Sequence, residues 1–206
     1  TEFGRDSDWD AITETIWPLL AERSDTREAW QAATAPLWSQ QTTLVLYGPS
    51  TRIGAIDLES KFTEAALGNL QLADYRNFGH GRHHWLAKRG ETSAVLAFVS
   101  EHDRALADRT LKLIPPEIPR ARLDLAGSPS AAGLASLVAA LRIAGWAGAA
   151  RGIDPGRPGV PDFGRKLYSL PLPKHLPSNA HRSLSDRDAA AIARKARALG
   201  AMPSSG

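Results

Sequence analysis

Residues 93–100 read Ser-Ala-Val-Leu-Ala-Phe-Val-Ser, a run with an unbroken apolar centre and no charge. A strand that alternates polar and apolar residues keeps one wet face. A continuous apolar run keeps none, which is the mark of a strand covered on both faces in a parallel sheet. Working outward, the signal recurs at Thr43-Leu44-Val45-Leu46-Tyr47, ended by Gly48-Pro49-Ser50, and again at Gln71–Tyr75 and Ala121–Ala126. Between these runs lie segments of helical spacing: Ile53–Leu67, Phe78–Lys88 (a turn entering a helix), Asp103–Leu113 and Ala131–Ala150. Pro115-Pro116 stops the third of these, since proline cannot continue a helix. Strands alternating with helices imply βαβ units. The expected fold is therefore α/β, a three-layer αβα sandwich with a mostly parallel sheet of flavodoxin-like or Rossmann-like type.

Towards the N-terminus, Asp8-Trp9-Asp10 opens an amphipathic segment with Ile12, Ile16, Leu19 and Leu20 at helical spacing, and a second helix is expected from Thr26 to Trp38. Beyond Gly152, proline and glycine punctuate residues 152–161, which reads as a fixed loop. Leu167–Leu172 reads as an added edge strand, Pro173–Ser183 as a linker, and Asp186–Leu199 as a last helix capped by Ser185. The expected division is N-terminal helices over residues 1–40, an α/β subdomain over 41–172, and a linker with a C-terminal helix over 173–206 leading to a further domain.

At 43% hydrophobic and 23% charged, the chain has the make-up of an ordinary globular protein. A net charge of +3 is too small to argue for nucleic acid, so no such partner is expected. With no cysteine there is no disulfide, thiolate metal site or thiol nucleophile, which fits a reducing, cytoplasmic setting. The longest mostly apolar stretch, Ala131–Ala150, is interrupted by Ser136, Arg142 and several glycines, so no membrane span is expected. No signal peptide is read at the start either.

Three short segments carry a resemblance. The first is Gly54-Ala55-Ile56-Asp57-Leu58-Glu59-Ser60-Lys61-Phe62-Thr63-Glu64-Ala65-Ala66, after a strand that ends in a glycine turn. The second is Phe78-Gly79-His80-Gly81-Arg82. The third is Asp154-Pro155-Gly156-Arg157-Pro158 followed by Phe163-Gly164-Arg165-Lys166. In this order and at these separations, they resemble the landmarks of the sugar isomerase (SIS) domain family. The match is to the second SIS subdomain of glucosamine-6-phosphate synthase, and it covers roughly Leu44 to Leu170. Two departures stand out: Arg82 replaces the family's proline, and Arg76 stands where an acidic residue is often found. No first subdomain is read, which suggests a truncated site or one completed by another chain.

The resemblance implies a phosphosugar ligand and, because SIS modules work in pairs, a homodimer or pairing with a second SIS subdomain. It assigns Glu64 as the base of an aldose–ketose isomerisation, His80 as the ring-opening group and Lys166 as a sugar-reaching amine. A glutamate suits the first role once desolvation raises its pKa, and an imidazole suits the second because it titrates near neutrality. Arg82 is a further candidate substrate contact. The residues themselves supply the phosphate site: Ser50, Thr51 and Arg52 follow a strand and open a helix, where free N–H groups and the helix dipole favour anions. The turn Gly127-Ser128-Pro129-Ser130 has the same form, but an ordinary helix cap explains it. No metal or cofactor is expected, since His80, His83 and His84 lack a matching ligand set. The six tryptophans read as packing or interface anchors, with Trp146 suited to a subunit contact. Two functions stay open: a phosphosugar isomerase or aminosugar synthase, and a module that binds a phosphosugar without turning it over. A vestigial interaction domain is a weaker third.

Overall fold

A computed structural model describes residues 9–171 of the chain. Four strands, β1 (Thr42–Tyr47), β2 (Asn69–Asp74), β3 (Ser93–Ser100) and β4 (Arg120–Leu125), form one sheet in the order β2-β1-β3-β4. All neighbours are parallel. The run that decided the fold is β3, buried along its whole length at the centre of the sheet. Its residues alternate between two apolar layers. Ala94, Leu96 and Phe98 join one buried cluster, and Val95, Ala97 and Val99 join the other.

The connecting helices follow from that order. The β1–β2 crossover runs one way along the sheet through α3 (Arg52–Glu64). The β2–β3 connection runs back past β1 through α4 (Tyr75–Asn77), a π-helical turn at Phe78–Arg82, and α5 (His84–Arg89). Right-handed crossovers in opposite directions put their helices on opposite faces. Accordingly, Ala55, Leu58 and Phe62 of α3 lie in the first cluster, whereas Phe78 and Leu86 lie in the second. From α6 (Arg104–Leu113), Ala107 is buried in the second layer, and α7 (Pro129–Arg151) closes the first. The architecture is a three-layer αβα sandwich.

Small residues let α3 and α7 approach closely: a Cβ on Gly54 would lie 2.5 Å from the Ser136 backbone. The N-terminal helices α1 (Trp9–Leu20) and α2 (Asp25–Thr34) belong to this same layer. Arg142 of α7 donates to Leu19 O at 3.2 Å and to Leu20 O at 2.6 Å, satisfying carbonyls that the end of α1 leaves free. Ser24 caps α2 by accepting from Arg27 N.

Three expectations change here. α7, at 23 residues, does have the length and apolarity of a membrane span by composition alone. In this fold it is a core helix instead, with Ala132, Ala139, Ala140, Ile143 and Ala147 fully buried against the sheet and α3. The second predicted helix ends early: Pro36 sits in a 3-10 turn, Ala35–Ser39, that swings Leu37 and Trp38 into the core. And Leu167 lies on a helix, α8 (Asp162–Tyr168), rather than an edge strand. Its backbone bonds locally, Leu170 N donating to Leu167 O at 3.1 Å. Residues 152–161 form no regular element, as proline and glycine dictate. The chain divides into a compact unit ending at Gly159 and a second unit from Val160 onward, which contains α8. The predicted linker and the helix at Asp186–Leu199 lie outside the described residues.

Candidate functional site

In a doubly wound sheet the neighbouring strands whose crossovers leave in opposite directions part at their carboxyl ends, and that gap is the usual ligand crevice. Here those strands are β1 and β3. Their register ends at Leu46↔Ala97, while β3 stays paired with β4 as far as Ser100↔Leu125. The hydroxyl of Tyr75, from the β2–α5 connection, donates to Phe98 O at 2.9 Å just beyond the point where β1 departs. Burial and the nearby Asp103 carboxylate push its phenol well above the ordinary value, so it stays a donor.

Above this seam opens a crevice of about 730 Å³, lined among others by Arg52, Asp74, Tyr75, Arg76, His102 and Asp103. Its floor is set by Gly48. A Cβ there would lie 1.7 Å from Asp103 Oδ2, so the carboxylate rests on bare backbone and any side chain would displace it. Asp103 is buried and accepts from Ser100 Oγ at 2.6 Å. Asp74 caps α4, accepting from Arg76 N at 3.0 Å and Asn77 N at 2.9 Å. Both acids are thus engaged within the fold. Among the described residues, no ion pair or side-chain hydrogen bond holds the guanidinium of Arg52 or Arg76, or the ring of His102. The crevice therefore offers two free cations and an imidazole, beside the N-terminal end of α3, to an anionic ligand.

The predicted phosphate contacts divide. Arg52 lines this crevice. Ser50 is half-buried and lines a neighbouring hollow with Ser100, His102 and Ser128. Thr51 turns inward: it is fully buried, its Oγ1 accepts from Gly48 N at 3.1 Å and donates to Gly48 O at 3.4 Å. That hydroxyl builds the turn and is not displayed to a ligand. Ser128 caps α7, accepting from Ala131 N.

Of the residues assigned by resemblance, Glu64, His80 and Arg82 do not line the crevice. Glu64 ends α3, so about 18 Å of helix separates it from Arg52 at the opposite edge of the sheet. It is exposed, accepting from Ser60 Oγ at 3.0 Å and Lys61 Nζ at 3.2 Å. These bonds, then the Lys61 charge, hold its carboxyl below the ordinary range, the reverse of what a general base requires. His80 is exposed on the π-helical turn, next to Gly81, whose φ of 144° only glycine adopts readily, and it does not line the crevice. Arg82 lines a separate cleft with Gln71 and α5. Lys166 is exposed on α8 of the second unit. Among the described residues no group of three or more His, Cys, Asp or Glu side chains could hold a metal ion.

No family model, curated protein or solved structure matches this chain. Sequence reasoning missed His102 and Asp103, although a signal existed. They lie two and three residues past β3, the most legible strand, and residues just past a central strand's carboxyl end are where this fold binds ligands. In the sequence Arg76 stands out only as a departure from a family pattern.

Proposed function

We propose that the chain is a phosphosugar-binding module of SIS type that holds its ligand without converting it. The observation that carries this reading is the crevice between β1 and β3, where Arg52, Arg76 and His102 have no side-chain partner among the described residues while both acids are engaged. Free cations beside a helix N-terminus suit a phosphate ester. The spare acceptor capacity of a carboxylate such as Asp103 suits sugar hydroxyls. Binding without turnover is favoured because Glu64, the assigned base, stands at the other edge of the sheet with its pKa pushed down. A phosphosugar ligand goes with a cytoplasmic location, and the family resemblance goes with a paired, homodimeric assembly.

Calorimetric titration with fructose 6-phosphate and glucosamine 6-phosphate, against fructose and inorganic phosphate, tests the proposal. Both phosphosugars should bind more tightly than fructose. Arg52→Ala or Arg76→Ala should each weaken binding about tenfold or more, the loss expected for one charge-assisted hydrogen bond. Glu64→Gln should leave the Kd unchanged, and NMR of the sugar should show no aldose–ketose exchange. Exchange that Glu64→Gln abolishes would instead establish the isomerase, with Glu64 serving the crevice of a paired module. Binding that ignores both arginines would remove the crevice from consideration.

A further inference from the structure

The net charge of +3 conceals a local concentration. Between Asp74 and Glu91 the sequence carries Arg76, Arg82, Lys88 and Arg89, three histidines and no acid. Arg82 lies on the π-helical turn, and His84, Trp85, Lys88 and Arg89 follow on α5. With Gln71 of the edge strand β2, these side chains line a cleft of about 400 Å³. Arg82, Lys88 and Arg89 are exposed. Among the described residues, none of their side chains makes a hydrogen bond or ion pair with the protein.

The aromatic groups of the cleft, by contrast, are fixed. Trp85 is 37% exposed, and its Nε1 donates to Ser93 Oγ at 3.0 Å, which anchors one edge of the indole. The Ser93 hydroxyl is itself held by donating to Arg89 O at 2.7 Å. His84 stacks on His83 with ring centroids 4.5 Å apart, and His83 Nδ1 lies 3.0 Å from Phe78 O. Held rings interleaved with free cations are what a single-stranded polynucleotide requires. The cations meet successive phosphates and the rings offer faces on which unpaired bases stack. An acidic peptide would use the cations and leave the rings idle.

We infer that the α5–β2 cleft is a docking surface for single-stranded nucleic acid, formed by Arg82, Lys88 and Arg89 around Trp85 and His84. It is separate from the β1–β3 crevice and does not depend on that site's ligand.

The test is fluorescence anisotropy of a labelled single strand of about 15 nucleotides, as DNA and as RNA, titrated with the whole chain across a range of salt. Binding should weaken with salt along a log–log slope near about −2, the value for three phosphate contacts on a single strand. The triple variant Arg82→Glu, Lys88→Glu, Arg89→Glu should lose binding by at least about tenfold. Arg23→Glu, Arg109→Glu, Lys112→Glu, an equal charge change on other surfaces, should retain most of it. Trp85→Phe keeps a ring and should bind within about threefold of the native chain, whereas Trp85→Leu should lose about tenfold or more. Circular dichroism of both Trp85 variants confirms that they are folded, and the charge variants stand as a test that leaves the packing of Trp85 alone. The inference is overturned by equal loss in both charge variants, by indifference to Trp85→Leu, or by equal binding of a duplex or of polyglutamate.

Discussion

On the β4 flank of the sheet, Arg122 donates to both oxygens of Asp124 through Nε and Nη2, at 2.8 Å each. It also pairs with Asp108 of α6, and Arg104 reaches Asp124 at 2.7 Å. On the opposite flank, beside β2, Arg82, Lys88 and Arg89 form no ion pair among the described residues. Both flanks edge the same sheet and both are rich in arginine. One converts its charge into internal structure, and the other leaves it facing outward. Buried or bridged charges hold a fold in register, whereas unbridged ones contribute little to stability and are free to act on something else.

The comparison breaks most clearly under charge reversal. Arg122→Glu would gather three carboxylates where a bidentate guanidinium now sits, and should cost about 1–2 kcal/mol in urea unfolding. Arg82→Glu should change stability by less than about 0.5 kcal/mol, as exposed substitutions without partners do. Equal losses at the two positions would mean that the flanks are electrostatically alike. A second variant sharpens the contrast from the β2 side, where the ordered element is aromatic rather than ionic. Ser93 is fully buried and serves both Trp85 Nε1 and Arg89 O. Ser93→Ala should therefore cost about 1 kcal/mol or more, since it leaves the indole N–H unpaired, while Arg89 O keeps only the longer bond from Thr92 Oγ1 at 3.4 Å. A neutral result would mean that water replaces the hydroxyl and that the indole is not held by this bond.

Legibility in the sequence followed the same division between pattern and geometry. The β3 run, the glycine–proline turn after β1 and the alanine-rich α7 each announce themselves through local composition, so the layers and the sheet class could be read directly. α8 could not, because Leu167–Leu172 is short and apolar and a period cannot be counted over so few residues. The crevice was legible only by half. Arg52 lies beside a readable turn, but its companions Arg76 and His102 come from the ends of two other strands, and only the order β2-β1-β3-β4 brings them together. Thr51 shows the limit from the other side. Its residue type suits a phosphate contact, yet the direction of its hydroxyl is decided by the need to satisfy Gly48 in a buried turn. Glu64 was read from a motif, and a motif says nothing of which end of a helix meets the site.

The smallest expected effect concerns acid. Hydrogen bonds from Arg122, aided by the charges of Arg122 and Arg104, hold the Asp124 carboxyl below its ordinary value of 3.8, with partial burial opposing them. A carboxyl depressed in the folded state binds protons there less readily than in the unfolded chain. Its contribution is therefore present above the unfolded value and is lost as pH falls through and below it. With the side chain 45% exposed, solvent screens much of the interaction, so the loss should be a few tenths of a kcal/mol. Asp124→Asn should flatten stability against pH in that acid window, read from urea midpoints at successive pH values. Arg82→Gln, which breaks no ion pair among the described residues, should leave the curve as it is. If instead Arg82→Gln flattens the curve and Asp124→Asn does not, an acid outside the β4 network is paired on the β2 side. The cations there would then be structural rather than free.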